Sequence, residues 1–384
     1  MDPSPTPVLL LARELGVGGS ERQLTETARG LDRSRFTPHV GCLISGGLRQ
    51  AELAAAQVPV VTFPVSSFLS PSALQGAWLM RHYVRQYGIQ IVHSFDVPMN
   101  VFGAASALAA RAPVVLISQR AHQSLTPFLD RCVLRYFLHP CVHGIVVNCQ
   151  AMRRHLIEDE GVSAERIYLC YNGLDTATFF PAPTPRPDSW TGATTIGVVC
   201  ALRPEKDLPT LLRAFAQIHP QFPQTRLIIV GSGSEESLLK RLAAELGISS
   251  STHFEPATAQ VAFWLRRIDI FVLPSLSEAL SNSLMEAMAC GCCPVASHVG
   301  GNPELVEPGQ TGLLFTPGDS AHLAAQLRFL LQHPQQRQIW GRAAAHRIAT
   351  HFTHQAAVKR MAEIYTTLLE ARRRRRRKPL VSAA

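Results

Sequence analysis

The sequence predicts an α/β protein of two domains, each a parallel sheet with helices on both faces. Three observations predict it. Short continuous apolar runs recur along the chain, such as VLLLA at 8–12 and IDIFVL at 268–273, as strands buried on both faces require. Segments of helical spacing lie between them. The 384 residues exceed what one compact core normally holds, so two domains of about 180 residues each are expected.

The first run is followed by the loop Gly16-Val-Gly-Gly-Ser20 and by helical spacing over 21–31, with Ser20 and Gln23 placed as a capping box. Strand-like runs follow at 39–44, 58–63, 89–93, 113–118, 144–148 and 166–170, with helical segments at 72–87 and 98–110. The stretch 180–191 carries Pro181, Pro183, Pro185 and Pro187 and little that would join a core. A stiff interdomain linker is therefore expected over 181–192, after an N-terminal domain at 1–180. The C-terminal domain, 193–353, reads as strand 195–200, helix 207–218, strand 226–230, helix 235–246, strand 269–273, helix 282–290 and strand 293–296. Helices at 320–332 and 335–350 follow, then a last helix at 354–371 and a basic tail at 372–384. Ligands of open parallel sheets bind beyond the carboxyl ends of the strands, so two such domains facing each other make a cleft.

Composition excludes several classes. With 46% apolar and 17% charged residues, the chain is neither disordered nor fibrous. Its formal charge of +9 is misleading, because seven positive charges sit in the run from Arg372 to Lys378. Without them 30 basic residues face 28 acidic ones, which is no field for specific nucleic-acid binding. The run itself has three readings: attraction to anionic lipid headgroups, nonspecific RNA binding, or a solvated tail. Nine cysteines make no disulfide framework, and Cys290, Cys292 and Cys293 lack paired C-x-x-C zinc spacing, so reduced thiols are expected. The run at 8–12 is too short for a secretory leader and follows Asp2 in place of basic residues. No apolar stretch is long enough to span a bilayer. The expected location is cytoplasmic, with the basic run able to hold the protein peripherally at the inner face of the membrane.

The richest stretch for chemistry is LPSLSEALSNSLMEAMA at 273–289. A buried strand ends in a polar loop, and a helix starts near Asn282. Glu278 and the amides of Ala279, Leu280, Ser281 and Asn282 thus fall at a helix N-terminus, which suits a diphosphate. Glu278 and Glu286 are both placed to accept hydrogen bonds from sugar hydroxyls. The alternative is that Glu278 serves the helix N-terminus and Glu286 a surface ion pair. After the strand at 195–200, Arg203 and Lys206 are spaced to clamp a departing diphosphate; the alternative is a solvated turn with Asp207 capping the next helix. The glycine loop with Gly18 and Gly19, and Gly231-Ser-Gly-Ser234, permit close backbone approach but are weak signals singly. His93 ends the strand IQIVH and His122 follows the strand VVLIS, and either could face an acceptor or be structural. Metalloprotease, D-x-D, nucleophile-elbow and P-loop motifs are absent.

Taken in order, these segments resemble the family 4 glycosyltransferases of GT-B fold, with two Rossmann-like domains, over nearly the whole chain. The spacing of Glu278 and Glu286 matches the family's E-x7-E motif, and EAMACGCCPVASHVGGNPELVEPGQTGLLFTPGD continues it in the family's manner. GVGGSE, RPEKDLPTLLRAF, IIVGSGSE, IDIFVLPS and YNGLDTATF are further matches. The resemblance implies that Glu286 binds the nucleotide ribose and Glu278 the donor sugar. Arg203 and Lys206 would hold the diphosphate, approached also by Gly18 and Gly19, and the last helix would cross back to the N-terminal domain. Many family members carry an arginine five residues before the lysine, where this chain has Ala201; Arg203 is the candidate substitute. On the acceptor side, His93, Arg120 and His122 are the candidates.

The resemblance implies retaining transfer of a sugar from a nucleoside diphosphate donor, most commonly UDP-linked, to an acceptor hydroxyl, in polysaccharide or glycolipid biosynthesis. No divalent metal or other cofactor is expected, since cations and amides would neutralise the leaving group. The acceptor is a glycan, a lipid-linked species or a small molecule. Competing readings are a sugar-nucleotide epimerase, a phosphorylase, or a binding protein that keeps the fold without turnover.

Overall fold

In a computed structural model, residues 4–16, 18–68, 70–120, 128–187, 190 and 192–377 are described, the last three of them by backbone alone. The chain divides into two compact units, Met1–Gly173 with His354–Ala384, and Leu174–Thr353.

The first unit is built on β1 (Thr6–Ala12), β2 (Phe36–Cys42), β3 (Val60–Thr62), β4 (Ile91–Ser94), β5 (Val114–Gln119), β6 (Gly144–Val147) and β7 (Ile167–Leu169). These form one sheet in the order β3-β2-β1-β4-β5-β6-β7. Every pairing is parallel. Its helices are α1 (Gly19–Gly30), α2 (Leu48–Ala55), α3 (Pro71–Gln86), α4 (Val97–Ala109), α5 (Phe128–Cys132), α6 (His139–Cys141) and α7 (Gln150–Glu158). A π-helical turn, Val133–Leu138, joins α5 to α6.

The second unit carries β8 (Thr194–Val199), β9 (Thr225–Val230), β10 (Thr252–Glu255), β11 (Ile270–Leu273), β12 (Cys293–Ser297) and β13 (Leu313–Phe315), ordered β10-β9-β8-β11-β12-β13 and again parallel. Around it lie α8 (Leu208–Ile218), α9 (Glu236–Glu245), α10 (Val261–Leu265), α11 (Asn282–Ala289), α12 (Asn302–Leu305), α13 (Ser320–Gln332) and α14 (Pro334–His351). The last helix, α15 (His354–Arg377), packs on α1 in the first unit. Its buried face, including Met361, Ile364 and Tyr365, completes the core beneath β1, β2 and β4.

The strand runs are apolar because both faces are covered: Leu9, Leu10 and Leu11 of β1 and Phe271, Val272 and Leu273 of β11 are wholly buried. In each sheet the strand order reverses at the first strand, β1 or β8, so the crevice for a ligand opens at its carboxyl end.

Three expectations need correction. The proline-rich segment is not a free linker: Arg266 donates to the carbonyls of Thr178 and Phe180, Arg267 to that of Pro185, and Arg186 pairs with Asp269 at 2.8 Å. Trp190 is buried beside Trp264, so this stretch belongs to the second unit, which begins at Leu174. The helical spacing at 354–371 continues to Arg377, placing most of the arginine run on a helix. The capping box at Ser20 is not formed, because α1 starts two residues earlier, at Gly19, with Gly18 as its cap. Gln23 instead exchanges two hydrogen bonds with the backbone of Gly173, at 2.9 and 3.0 Å. All nine cysteines are free.

Candidate functional site

β8 and β11 are neighbours in the second sheet, and their carboxyl ends deliver the two segments singled out in the sequence. After β8 the chain passes Ala201 and Arg203 into a single 3-10 turn, Pro204–Lys206. Asp207 then takes a left-handed conformation, φ +47°, and starts α8 without a side-chain cap. The Lys206 Nζ donates to Glu278 Oε1 at 2.5 Å, and Ser275 Oγ donates to the same oxygen at 2.8 Å. The Leu276 N–H donates to the Glu205 carbonyl at 2.9 Å, so the two loops are stitched together by backbone and side chain.

The Lys206 and Glu278 side chains are 19% and 11% exposed. Burial pulls the Lys206 pKa down, but the charge and hydrogen bond of Glu278 outweigh it and hold the ammonium above the ordinary lysine value. Burial, with the carboxylates of Glu278 and Glu205 adding to it and Lys206 opposing it, pushes the neighbouring Cys200 thiol up to about 12, so it is no nucleophile at neutral pH.

Behind the Glu278 loop lies the turn after β12. Ser297 Oγ donates to the Ser275 carbonyl at 2.6 Å, and the Asn302 amide donates to the Ser297 carbonyl at 3.0 Å. The Gly301 N–H donates to the Ala279 carbonyl at 2.6 Å. Gly300 has φ +52°, and a Cβ on it would sit 1.9 Å from the Glu278 carbonyl oxygen, so only glycine fits. Gly231 and Gly233 serve the other loop in the same way: a Cβ on either would strike the carbonyl oxygen of Cys200 or Leu202, at 1.9 and 2.2 Å. These two glycines thus permit backbone packing within the protein.

Ser281 caps α11, accepting from the Leu284 N–H at 3.3 Å, and leaves that helix's first turn beside Glu278. Ala279, Leu280 and Ser281 are almost fully buried. Glu286, in the second turn, is only 5% exposed. Glu278 thus bonds Lys206 and Ser275, and Glu286 is buried and not on the surface. Arg203 is 66% exposed, with Glu205 4.0 Å away, and Ala201 is also exposed.

In the first unit, Gly18 precedes α1 with φ −63°, and Gly19 opens the helix. A Cβ on Gly18 would fall 2.1 Å from the Glu21 carboxylate, which occupies that space. His93 does not fit an acceptor role. It is fully buried, with Nδ1 2.8 Å from the Tyr365 hydroxyl and Nε2 2.9 Å from the Ser118 hydroxyl. Burial, aided by Arg120, holds its pKa well below the ordinary histidine value. Arg120 lies at the carboxyl end of β5, over the Phe95 ring at 5.0 Å, and donates to Asn172 Oδ1 at 2.8 Å. His122 lies outside the described residues. Ser275, Ser297, Gly300 and Asn302 belong to no spacing pattern of their own; the GGN triplet at 300–302, inside the longer family-like stretch, is the signal the sequence offers for them.

Two units of parallel sheet with the strand order reversing at β1 and β8 are the architecture shared by GT-B glycosyltransferases, and sequence and structural relatives assign the chain to that class. Residues 187–347 match the profile described as glycosyl transferases group 1, and residues 17–178 that described as glycosyltransferase family 4. The chain belongs to this family of glycosyltransferases. A D-inositol 3-phosphate glycosyltransferase from Thermobispora bispora is 34% identical over 77% of this chain and 68% of its own length. One of the same description from Thermomonospora curvata is 30% identical over 88% of this chain and 78% of its own. Among solved structures, Anabaena HepE in complex with UDP-glucose superposes with a TM-score of 0.80 and 22% identity, covering 94% of this chain and 99% of that one.

Proposed function

We propose that this glycosyltransferase moves a sugar from a UDP-linked donor to an acceptor hydroxyl with retention of anomeric configuration, in the assembly of a polysaccharide or glycolipid. The observation that carries the reading is the Lys206–Glu278 pair set against the N-terminus of α11. The donor's diphosphate takes the Lys206 ammonium from Glu278 and meets the amides of Ala279, Leu280, Ser281 and Asn282. Glu278, released from the lysine, accepts from the donor sugar's hydroxyls, and Glu286 from the ribose. Arg203, long and exposed, reaches the phosphates in place of the arginine absent at Ala201. The bond from the anomeric carbon to the diphosphate breaks, and the acceptor oxygen bonds to the same face. The acceptor's proton passes to a diphosphate oxygen. Neutralisation by Lys206, Arg203 and the amides supports turnover without a divalent metal. Among the described residues no helix is long and apolar enough to cross a membrane; we propose peripheral attachment at an anionic membrane surface, to which the Arg372 to Lys378 run contributes.

The test is a donor screen in EDTA with UDP-glucose, UDP-galactose, UDP-GlcNAc, UDP-glucuronate and GDP-mannose. Nucleoside diphosphate release is recorded, and the product anomer is read by NMR. Release from a UDP-sugar with a retained anomer supports the reading. Strict dependence on added Mg²⁺ or an inverted product overturns it, and an epimerised donor or a phosphate requirement points to the other GT-B-like chemistries. In the same assay Arg203→Ala should raise the donor KM by about three- to tenfold, as loss of one exposed phosphate contact implies; an unchanged KM removes Arg203 from the site.

A further inference from the structure

The exposed apolar side chains are not spread evenly. Of fifteen large hydrophobics exposed on the described surface, eight fall within two short segments, 68–87 and 128–137. On α3, Leu74 and Trp78 are 78% and 64% exposed, and Arg81 and Arg85 continue the same stripe at helical spacing. On α5 and the π-helical turn, Phe128, Leu129, Tyr136 and Phe137 are each at least 65% exposed. Arg131 lies over the Phe128 ring, and Arg135 over that of Tyr136. The turn closes with an N–H of His139 bonded to the Leu134 carbonyl, the wide spacing of a π-helix, a rare form that is frequent at functional sites. Both segments pack on α4, whereas α2 and α15 pack on α1. The two stripes therefore lie on one side of the first unit.

Charge follows the same boundary. Residues 68–87 and 128–138 carry four arginines, Arg81, Arg85, Arg131 and Arg135, and one acid, Asp130. Outside these segments and the C-terminal run, 26 basic residues face 27 acidic ones. A side that gathers exposed aromatics, an aliphatic ridge and unopposed arginines is complementary to one kind of partner, the headgroup layer of an anionic bilayer.

We propose that the α3 and α5–π-helix side of the first unit is a membrane-docking surface. Trp78, Tyr136 and the phenylalanines enter the headgroup–acyl boundary, while Arg81, Arg85, Arg131 and Arg135 meet lipid phosphates. This surface is separate from the 372–378 run, and its test does not depend on sugar transfer.

The chain has an internal reporter. Of its four tryptophans, Trp190, Trp264 and Trp340 are at most 8% exposed, so quenching by lipid reads Trp78. The full chain is sedimented with vesicles of phosphatidylcholine alone and with about 30 mol% phosphatidylglycerol, and its fluorescence is followed with brominated acyl chains. The expected results are binding to the acidic vesicles and quenching of Trp78. Arg81→Glu with Arg85→Glu, and separately Leu74→Ser with Phe137→Ser, should each weaken partition about tenfold or more. A chain ending at Ala371 should keep the Trp78 quenching. All substituted positions are exposed, so the variants should fold, which circular dichroism checks. Unchanged partition in both face variants, or bound protein with unquenched Trp78, overturns the proposal. So does a lipid-free dimer in sedimentation velocity that the face variants dissociate, because the surface would then seat a second copy.

Discussion

Lys206→Ala is expected to lower kcat for donor turnover by about 10²–10³-fold, the scale on which loss of a preorganised group facing a developing anion is felt. The Nζ–Oε1 contact of 2.5 Å shows that the ammonium is already held at the mouth of α11 before any donor arrives. Truncation also strands Glu278, 11% exposed, with Ser275 as its remaining partner on Oε1. Because the pair is partly screened, a stability loss of about 1–3 kcal/mol is expected, below that of a fully buried pair. Lys206→Arg should recover part of kcat, since charge without compact geometry is only half the requirement. The pH dependence has a defined sign. The Lys206 pKa is raised in the folded state, so the pair's stabilisation is complete below the unfolded value of 10.5 and is lost as pH rises through the higher folded value. Melting curves of wild type and Lys206→Ala should therefore stay separated from pH 7 to 9 and converge only in strong alkali. Equal kcat in the variant would remove Lys206 from the chemistry.

Gly300→Ala should be among the most damaging single methyl groups in the second unit. The added carbon would lie 1.9 Å from a backbone oxygen, that of Glu278, which cannot swing aside as a side-chain end can. The left-handed φ of +52° adds strain of its own. Together these imply about 2–4 kcal/mol of destabilisation. For a unit of this size that is a fall of about 5–10 °C in Tm. The displaced Glu278 carbonyl moves the loop carrying the carboxylate, so the donor KM should rise as well. Gly309→Ala is the matched control: φ is +74° but open space surrounds the position, so only the conformational penalty of about 1 kcal/mol applies. If the two substitutions cost the same, the close packing behind Glu278 is not what positions it.

The strands and helices that bury whole faces were legible in the sequence. VLLL of β1, VVLI of β5 and IFVL of β11 are continuous apolar runs because both sheet faces are covered, and the spacing at 320–332 matches α13 residue for residue. The edge strands of the second sheet were not: β10 (THFE) is only half-buried along its length and β13 is a short LLF, so neither stands out as a run. Of the site, Lys206, Glu278 and Glu286 could be picked out from strand-end and helix-start positions. Their mutual contact could not, because it depends on which strands are neighbours. The supports, Ser275, Ser297 and Gly300, were illegible for a related reason. Each acts on a backbone atom that only the tertiary fold brings near. His93 shows the converse, since a histidine at a strand end looks functional until Tyr365, from the far end of the chain, is found bonded to it.

The central claim is that the second unit holds the nucleotide through Glu286, and calorimetric titration of UDP into wild type and Glu286→Gln tests it most directly. Gln keeps the shape but removes the charged acceptor for the ribose hydroxyls, so UDP affinity should fall about tenfold or more while Tm without ligand changes little. Equal UDP affinity in the two proteins would contradict the account and place the nucleotide elsewhere.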